Sequence, residues 1–477
     1  MALALPPQVW RDAIHIGALA GPLIMTQLAQ VALTIIDLVM MGLLGPVDIA
    51  AGGLVLVLFN LLRATGAGML TATGNLVAHA LGQGDFAQVR HLLRASLALG
   101  TLAAMGAALL LCAAERPLVW LGQDPALARR AAQFLAVLAP GLLPCFWFQS
   151  LRQFTIGMRQ PGPLLAITIF CTALNGALDY LLIFGHWGFP RLGLVGIAWA
   201  TSGVNLLSFL LFLGVLGRRR DLSRHVSLTF YGTGMADWKA DLIALRRTWR
   251  MGAVVAATIA SETAFFTVLT LLIGTLGTAA LAAQTIANQL IYIVFMISTG
   301  LSQSVSVGVS HACARHDYAA ARRLAYTGLG IGFVAMFAVA VPYLAAPRTV
   351  LRPFLSGDAT ANAEVLSLAA KVLTIAAILQ FFDCAQNIGV GVMRGIGEVR
   401  RSFHVTLLGY WVIGLPIAYL LGIALHSGLF GVWIGLAIGL ASTAALLWRT
   451  FDRQLAMVTA ENEPNRSHDP PATPPRC

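Results

Sequence analysis

Four carboxylates interrupt apolar runs: Asp37 (TIIDLVMMG), Asp179 (NGALDYLLIFG), Glu262 (ASETAFF) and Asp383 (FFDCAQN). An ionisable group at membrane depth is costly and marks an ion or substrate path, unless it only glues helices together. Burial disfavours the charged form of a carboxylate, and a nearby cation restores it. One such group can therefore hold a proton, a metal ion or an organic cation in turn, which is the chemistry of exchange.

Spacing gives these acids polar companions. Gln30 and Asp37 lie seven residues apart, two helical turns, and share a face. Asn175 and Asp179, Gln149 and Gln153, Gln284 and Asn288, and Asp383 and Asn387 are each four apart. Such stripes should face an interior cavity. Arg63 and Lys371 are further basic residues at membrane depth; Arg63 would either pair with an anion or snorkel to an interface.

Catalysis has no foothold. There is no Walker A sequence, no HExxH, no GxSxG in a suitable context and no haem or metal spacing. The expectation is no enzyme, no cofactor beyond a coupling ion, and an energy source other than ATP. Six cysteines form no CxxC pair; those within the apolar runs read as buried thiols.

The elements that position these groups must be membrane helices. Of 477 residues 58% are hydrophobic and 11% charged, with mean hydropathy +0.79. Soluble chains carry roughly 25% charged residues. About twelve apolar segments, from 14–43 to 428–449, could each cross about 30 Å of hydrocarbon. The fold expected is all-α and polytopic.

The chain also repeats. His79-Ala-Leu-Gly-Gln-Gly-Asp85 matches His311-Ala-Cys-Ala-Arg-His-Asp317, Met158-Arg159 matches Met393-Arg394, and Gly193-Leu-Val-Gly196 matches Gly428-Leu-Phe-Gly431. The intervals, 232 and then 235 residues, predict two six-helix lobes in one orientation, a parallel repeat. The N-lobe would be 1–217, a basic cytoplasmic linker 218–250, the C-lobe 251–450, and 451–477 a disordered Pro-rich cytoplasmic tail. If the register holds, Glu262 falls on Gln30 and Asp37 on Leu269, so the lobes are chemically unequal.

The net charge of +11 comes from basic residues between the apolar runs, which argues against a nucleic-acid partner. Twenty-three Lys and Arg fall on one set of loops and ends, Arg152 and Arg394 among them, against six on the other. That bias predicts cytoplasmic termini.

LAGPLIMTQLAQVALTIIDLVMMGLLGP, LRQFTIGMRQPGP, NGALDYLLIFGHWGFPRLGLVGIAWAT, SETAFF and FFDCAQNIGVGVMRGIGEVR resemble the multidrug and toxic compound extrusion (MATE) family, in particular its NorM-like branch. The likeness spans residues 10–450. It implies a bacterial inner-membrane antiporter that exports small, often cationic, organic compounds against protons or sodium ions. An N-lobe cation site would comprise Asp37 with Gln30, Asn175, Asp179 and Thr201, and a C-lobe site Glu262 and Asp383 with Gln284. Sodium would sit at Glu262 and Asp383 or at Asp37 and Asp179. Membrane lipids and organic cations are the expected partners, and a monomer the expected state. Arg63 departs toward the DinF-like branch. The rival reading is a lipid-linked saccharide flippase of related architecture, whose cavity would be cationic.

Overall fold

In lipid, backbone N–H and C=O groups have only one another as partners, so runs this apolar fold as helices. The computed structural model describes residues 7–218 apart from 45, 121, 123, 163 and 189, together with 235–351 and 359–462. Among these, twelve helices are long and apolar enough to cross a membrane, and there is no strand. In chain order the N-lobe holds α1 (Pro7–Gly42), α2 (Pro46–Gly82), α3 (Phe86–Cys112), α4 (Pro125–Gly157), α5 (Leu164–Phe184) and α6 (Leu194–Arg218). The C-lobe holds α7 (Met235–Gly274), α8 (Thr278–Ala314), α9 (Tyr318–Ala345), α10 (Ala359–Gly395), α11 (Val399–Ala424) and α12 (Gly428–Asn462).

The sequence repeat is a structural repeat. Asp85 and Asp317 are the N-caps of α3 and α9, each accepting from the backbone N–H three residues on, at 2.9 Å. That bond satisfies one of the donors a helix start leaves open. Just before them Gly84 (φ 75°) and His316 (φ 57°) share a left-handed backbone. Gly193 (φ 57°) and Gly428 (φ 61°) open α6 and α12 in the same way. The second glycine of each motif permits close packing: a Cβ would lie 2.9 Å from the Leu182 carbonyl carbon at Gly196, and 2.6 Å from that of Leu421 at Gly431.

Each lobe has its own apolar core, around Phe134, Phe146, Phe154 and Phe212 in the N-lobe and around Met336, Trp433 and Phe451 in the C-lobe. Ile16 and Ala20 of α1 pack into the C-lobe core. Twelve helices crossing in turn place the start of α1 and the end of α12 on one side, and the lobes close against each other there. Ser304 Oγ donates to the Ile16 carbonyl (3.0 Å), Asn75 Nδ2 to Ser306 Oγ (3.0 Å) and Ser310 Oγ to the Asn75 carbonyl (2.8 Å). Asp12 pairs with Arg323, and Asp241 of α7 with His91 of α3 at 2.6 Å. Where α1 crosses α8, a Cβ at Gly300 would meet Ile24 Cγ1 at 2.6 Å, so only glycine allows the approach.

Several boundaries differ from those expected. Residues 235–250, read as linker, are the first turns of α7, and α12 runs on to Asn462 rather than ending near 450. The rest of the linker, 219–234, and of the tail, 463–477, lie outside the described residues. Arg152 is no loop residue: it stands inside α4, 2% exposed. Cys112, expected buried, is exposed at the end of α3. Pro22 lies within α1, and Pro416 of α11 lies between two π-helical stretches, Leu408–Gly414 and Leu420–Ala424.

Candidate functional site

Asp37 and Asp179 each stand five residues before the far end of their helices, α1 and α5. By the 1.5 Å rise per residue that is about 7.5 Å of depth. Asn175, one turn before Asp179, ties the two together: its Nδ2 donates to Asp37 Oδ1 at 2.8 Å and to Asp179 Oδ2 at 2.8 Å. All three are buried, Asp37 at 6% exposure and the others at 0%. One amide thus brings two carboxyl groups to the same buried spot. Asp179 Oδ1 and Asn175 Oδ1 are buried with no donor at all. Buried acceptors without a partner each cost about 1–3 kcal/mol, and a hard cation held by oxygens would relieve both. The residues present fit a proton or a small metal ion.

Not every residue expected here joins the pair. Gln30 turns its Oε1 to Arg152 Nη1 (3.3 Å), not to Asp37. Gln27 Oε1 accepts from Arg152 Nη2 (2.8 Å) and Gln149 Oε1 from Nη1 (3.5 Å), so among the described residues amide oxygens hold this buried cation, with its Nε left unpaired. Thr201 is half-buried and hydrogen-bonds neither carboxylate. Arg63 donates to Asn60 Oδ1 (3.1 Å), and its charge reaches Asp37.

In the C-lobe, Glu262 of α7 and Asp383 of α10 lie within electrostatic reach of each other. Gln386, one turn past Asp383, donates from Nε2 to Glu262 Oε1 at 3.2 Å. Aromatic rings line this region: Phe265 stacks on Tyr410 with centroids 4.8 Å apart, and Trp411 Nε1 donates to Ser261 Oγ at 2.9 Å. Tyr410 and Trp411 belong to the first π-helical stretch of α11, and such local widening recurs at functional sites. Gln284 is not part of this site; its Oε1 accepts from the Trp433 indole at 2.7 Å. Asn387, the stripe partner of Asp383, donates instead to Thr299 Oγ1 at 3.3 Å.

The charge of Arg394 also reaches Glu262. With Asn75, Gln153, Gln303 and Ser306 it lines a cavity of about 10 Å³ between the lobes, on the closed side. That is room for one water. Gln153 Nε2 and Arg394 Nε offer it unpaired donors, and Gln303 Oε1 an unpaired acceptor. From sequence, Arg152 and Arg394 count with the loops because a basic residue near a run's end looks like a boundary. The signal against it in Arg152 is a flank with no other charge and no turn residue on either side, FWFQSLRQFTI.

The family model described as MatE matches residues 22–181 and again 255–420, one stretch per lobe. A probable multidrug resistance protein NorM of Pseudomonas aeruginosa is 38% identical over 439 residues, covering 92% of this chain and 88% of that protein. Another from Rhizobium meliloti is 35% identical over 457 residues, 95% of each. A multidrug resistance MATE family transporter of the MOP superfamily, solved in an outward-facing conformation, superposes with a TM-score of 0.84 at 20% identity over 95% of this chain and 98% of that one. A eukaryotic MATE transporter gives 0.81 at 21% identity, covering 95% and 99%. At such identities the solved structures speak for the fold, whereas the relatives align with nearly the whole chain. Two matches to one family model and relatives above 30% identity place this chain in the multidrug and toxic compound extrusion family, on its NorM-like side.

Proposed function

We propose that the protein is a secondary multidrug efflux antiporter of a bacterial plasma membrane, with both termini cytoplasmic, acting as a monomer. It releases small organic cations outward as protons or sodium ions enter. The observation that carries this reading is the Asp37–Asn175–Asp179 cluster, a buried set of acceptors that is incomplete without a cation. The names of the relatives support efflux of several compounds. The second pair of acids, Glu262 and Asp383, beside the aromatic rings of α7 and α11, suits the ammonium end of an apolar organic molecule. Closure of the lobes on the terminal side corresponds, in the orientation proposed, to a state sealed from the cytoplasm. Exchange then needs no covalent step: each ligand stabilises the arrangement it binds better. Carboxylate pairs in both lobes run against a flippase, which would have to hold a diphosphate there.

The test is efflux of an organic cation from reconstituted vesicles, driven by a pH gradient alone and then by a sodium gradient alone. Wild type should respond to at least one gradient, and Asp37→Asn to neither. Wild-type transport indifferent to both would sink the antiport reading. Gradient-driven transport by Asp37→Asn at the wild-type rate would remove Asp37 from the coupling.

A further inference from the structure

On the side where α1 starts and α12 ends, a cleft of about 540 Å³ opens between α2, the first turns of α7 and the α10–α11 turn. Arg246, Arg247, Arg250 and Arg400 line it, with Leu76 and Met251 among its apolar walls. Among the described residues none of the four arginines makes a hydrogen bond or an ion pair. The carboxylates nearest in sequence are already engaged: Asp241 by His91 (2.6 Å) and Arg94 (3.6 Å), and Glu398 by Arg401 (3.3 Å). Four guanidiniums line one cleft with no carboxylate paired to them among the described residues.

The depth of the cleft follows from its elements. Leu76 stands six residues before the end of α2, and Val399 begins α11. On the same turns of α7, Trp238 (69% exposed), Leu242 and Trp249 (51%) point outward. Exposed tryptophans on a membrane helix mark the interface, where one part of the ring is apolar and the other wet. Arginines that meet apolar walls at that level match a phosphate joined to acyl chains, whereas a free anion would have no use for the walls. Basic pockets between membrane helices recognise such headgroups, and the guanidinium fork suits phosphate oxygens.

We propose that this cleft binds the phosphate headgroup of an anionic phospholipid, and that the bound lipid bridges the two lobes. Leu76 belongs to the N-lobe, while Arg400 belongs to the C-lobe. A lipid whose headgroup is held by the C-lobe arginines and whose acyl chain lies against Leu76 stabilises the arrangement in which the lobes are closed on this side, so lipid composition tunes the conformational balance. This site is separate from the carboxylate clusters and stands whether or not the coupling proposed above is correct.

The experiment compares purified protein in phosphatidylcholine with protein in phosphatidylcholine plus phosphatidylglycerol, reading the thermal unfolding midpoint and the lipid retained in native mass spectra. Wild type should be stabilised by phosphatidylglycerol and retain it, with a preference over phosphatidylcholine on the order of tenfold to a hundredfold, reduced by salt. Arg246→Gln/Arg250→Gln should lose that stabilisation and that preference while unfolding in phosphatidylcholine like wild type. Equal effects of the two lipids on wild type would overturn the proposal, as would full stabilisation by inorganic phosphate alone, which would make the cleft a free-anion site. An undiminished phosphatidylglycerol effect in the double variant would place the lipid elsewhere. Should the double variant not unfold cooperatively, the wild-type comparison of the two lipids and of phosphate still decides.

Discussion

Asp383 and Glu262 show how little a membrane carboxylate needs to contribute to stability. Glu262 has one amide donor, from Gln386 at 3.2 Å, and the two acids repel each other. Neutral isosteres keep the shape and remove the repulsion, so Glu262→Gln and Asp383→Asn should fold as well as wild type yet lose most export. Expression with thermal stability, set beside drug tolerance in a sensitive host, checks this; full tolerance from both would exclude the C-lobe pair. Arg152 behaves in the opposite way. Its charge is held by amide oxygens, of which Gln27 at 2.8 Å is nearest. Gln27→Leu should cost about 2 kcal/mol, the range for a hydrogen bond to a charged group, read as a lowered unfolding midpoint. Gln149→Leu, at 3.5 Å from the same guanidinium, should cost less.

At the scale of helices, the Gly-Leu-X-Gly motif has a packing reason in both lobes. Gly196 lets α6 approach the end of α5, and Gly431 lets α12 approach α11, with Cβ clearances of 2.9 and 2.6 Å to backbone carbons. Backbone cannot swing aside as a side chain can, so alanine at either position should destabilise by roughly 1–3 kcal/mol, more at the tighter Gly431. The comparison is the unfolding midpoint of Gly196→Ala and Gly431→Ala against Gly203→Ala, whose Cβ would meet nothing within 4 Å. Equal effects at all three would remove the packing argument. His316 takes the left-handed conformation that Gly84 takes in the other lobe, and its ring Nδ1 lies 3.1 Å from the Tyr318 hydroxyl. A side chain there is strained, yet the turn has the same backbone in both lobes.

For the whole molecule, the side on which the lobes close is also the side of the basic loops. The bias counted from sequence shrinks when Arg152 and Arg394 are removed from it, and its sign does not change. On a background with Cys112 replaced by serine, since that thiol is exposed on the far side, Trp187→Cys should react with an impermeant thiol reagent in intact cells. Gln83→Cys should not, although both positions are exposed. Labelling at residue 83 and not at 187 would invert the orientation.

The sequence alone was enough for the twelve helices, the two lobes and the Asn175–Asp179 face. Each of these depends on local periodicity or on a repeat, and lipid leaves the backbone few alternatives to helix. The grouping of Asp37 with Asp179 came only from the family resemblance and not from periodicity, because the amide that joins them, that of Asn175, lies 138 residues from Asp37. The division of the α1 stripe, where Asp37 turns to α5 and Gln30 to Arg152 on α4, lay beyond the sequence. Two residues on one helical face need not meet the same neighbour, since that depends on which helix packs at each depth. Tertiary structure alone decided that Gln284 serves Trp433. It alone brought Arg394 to the seam between the lobes and gathered arginines from α7 and α11 around one cleft. A single helix fixes where a side chain stands along it, and only the packing of twelve fixes what that side chain faces.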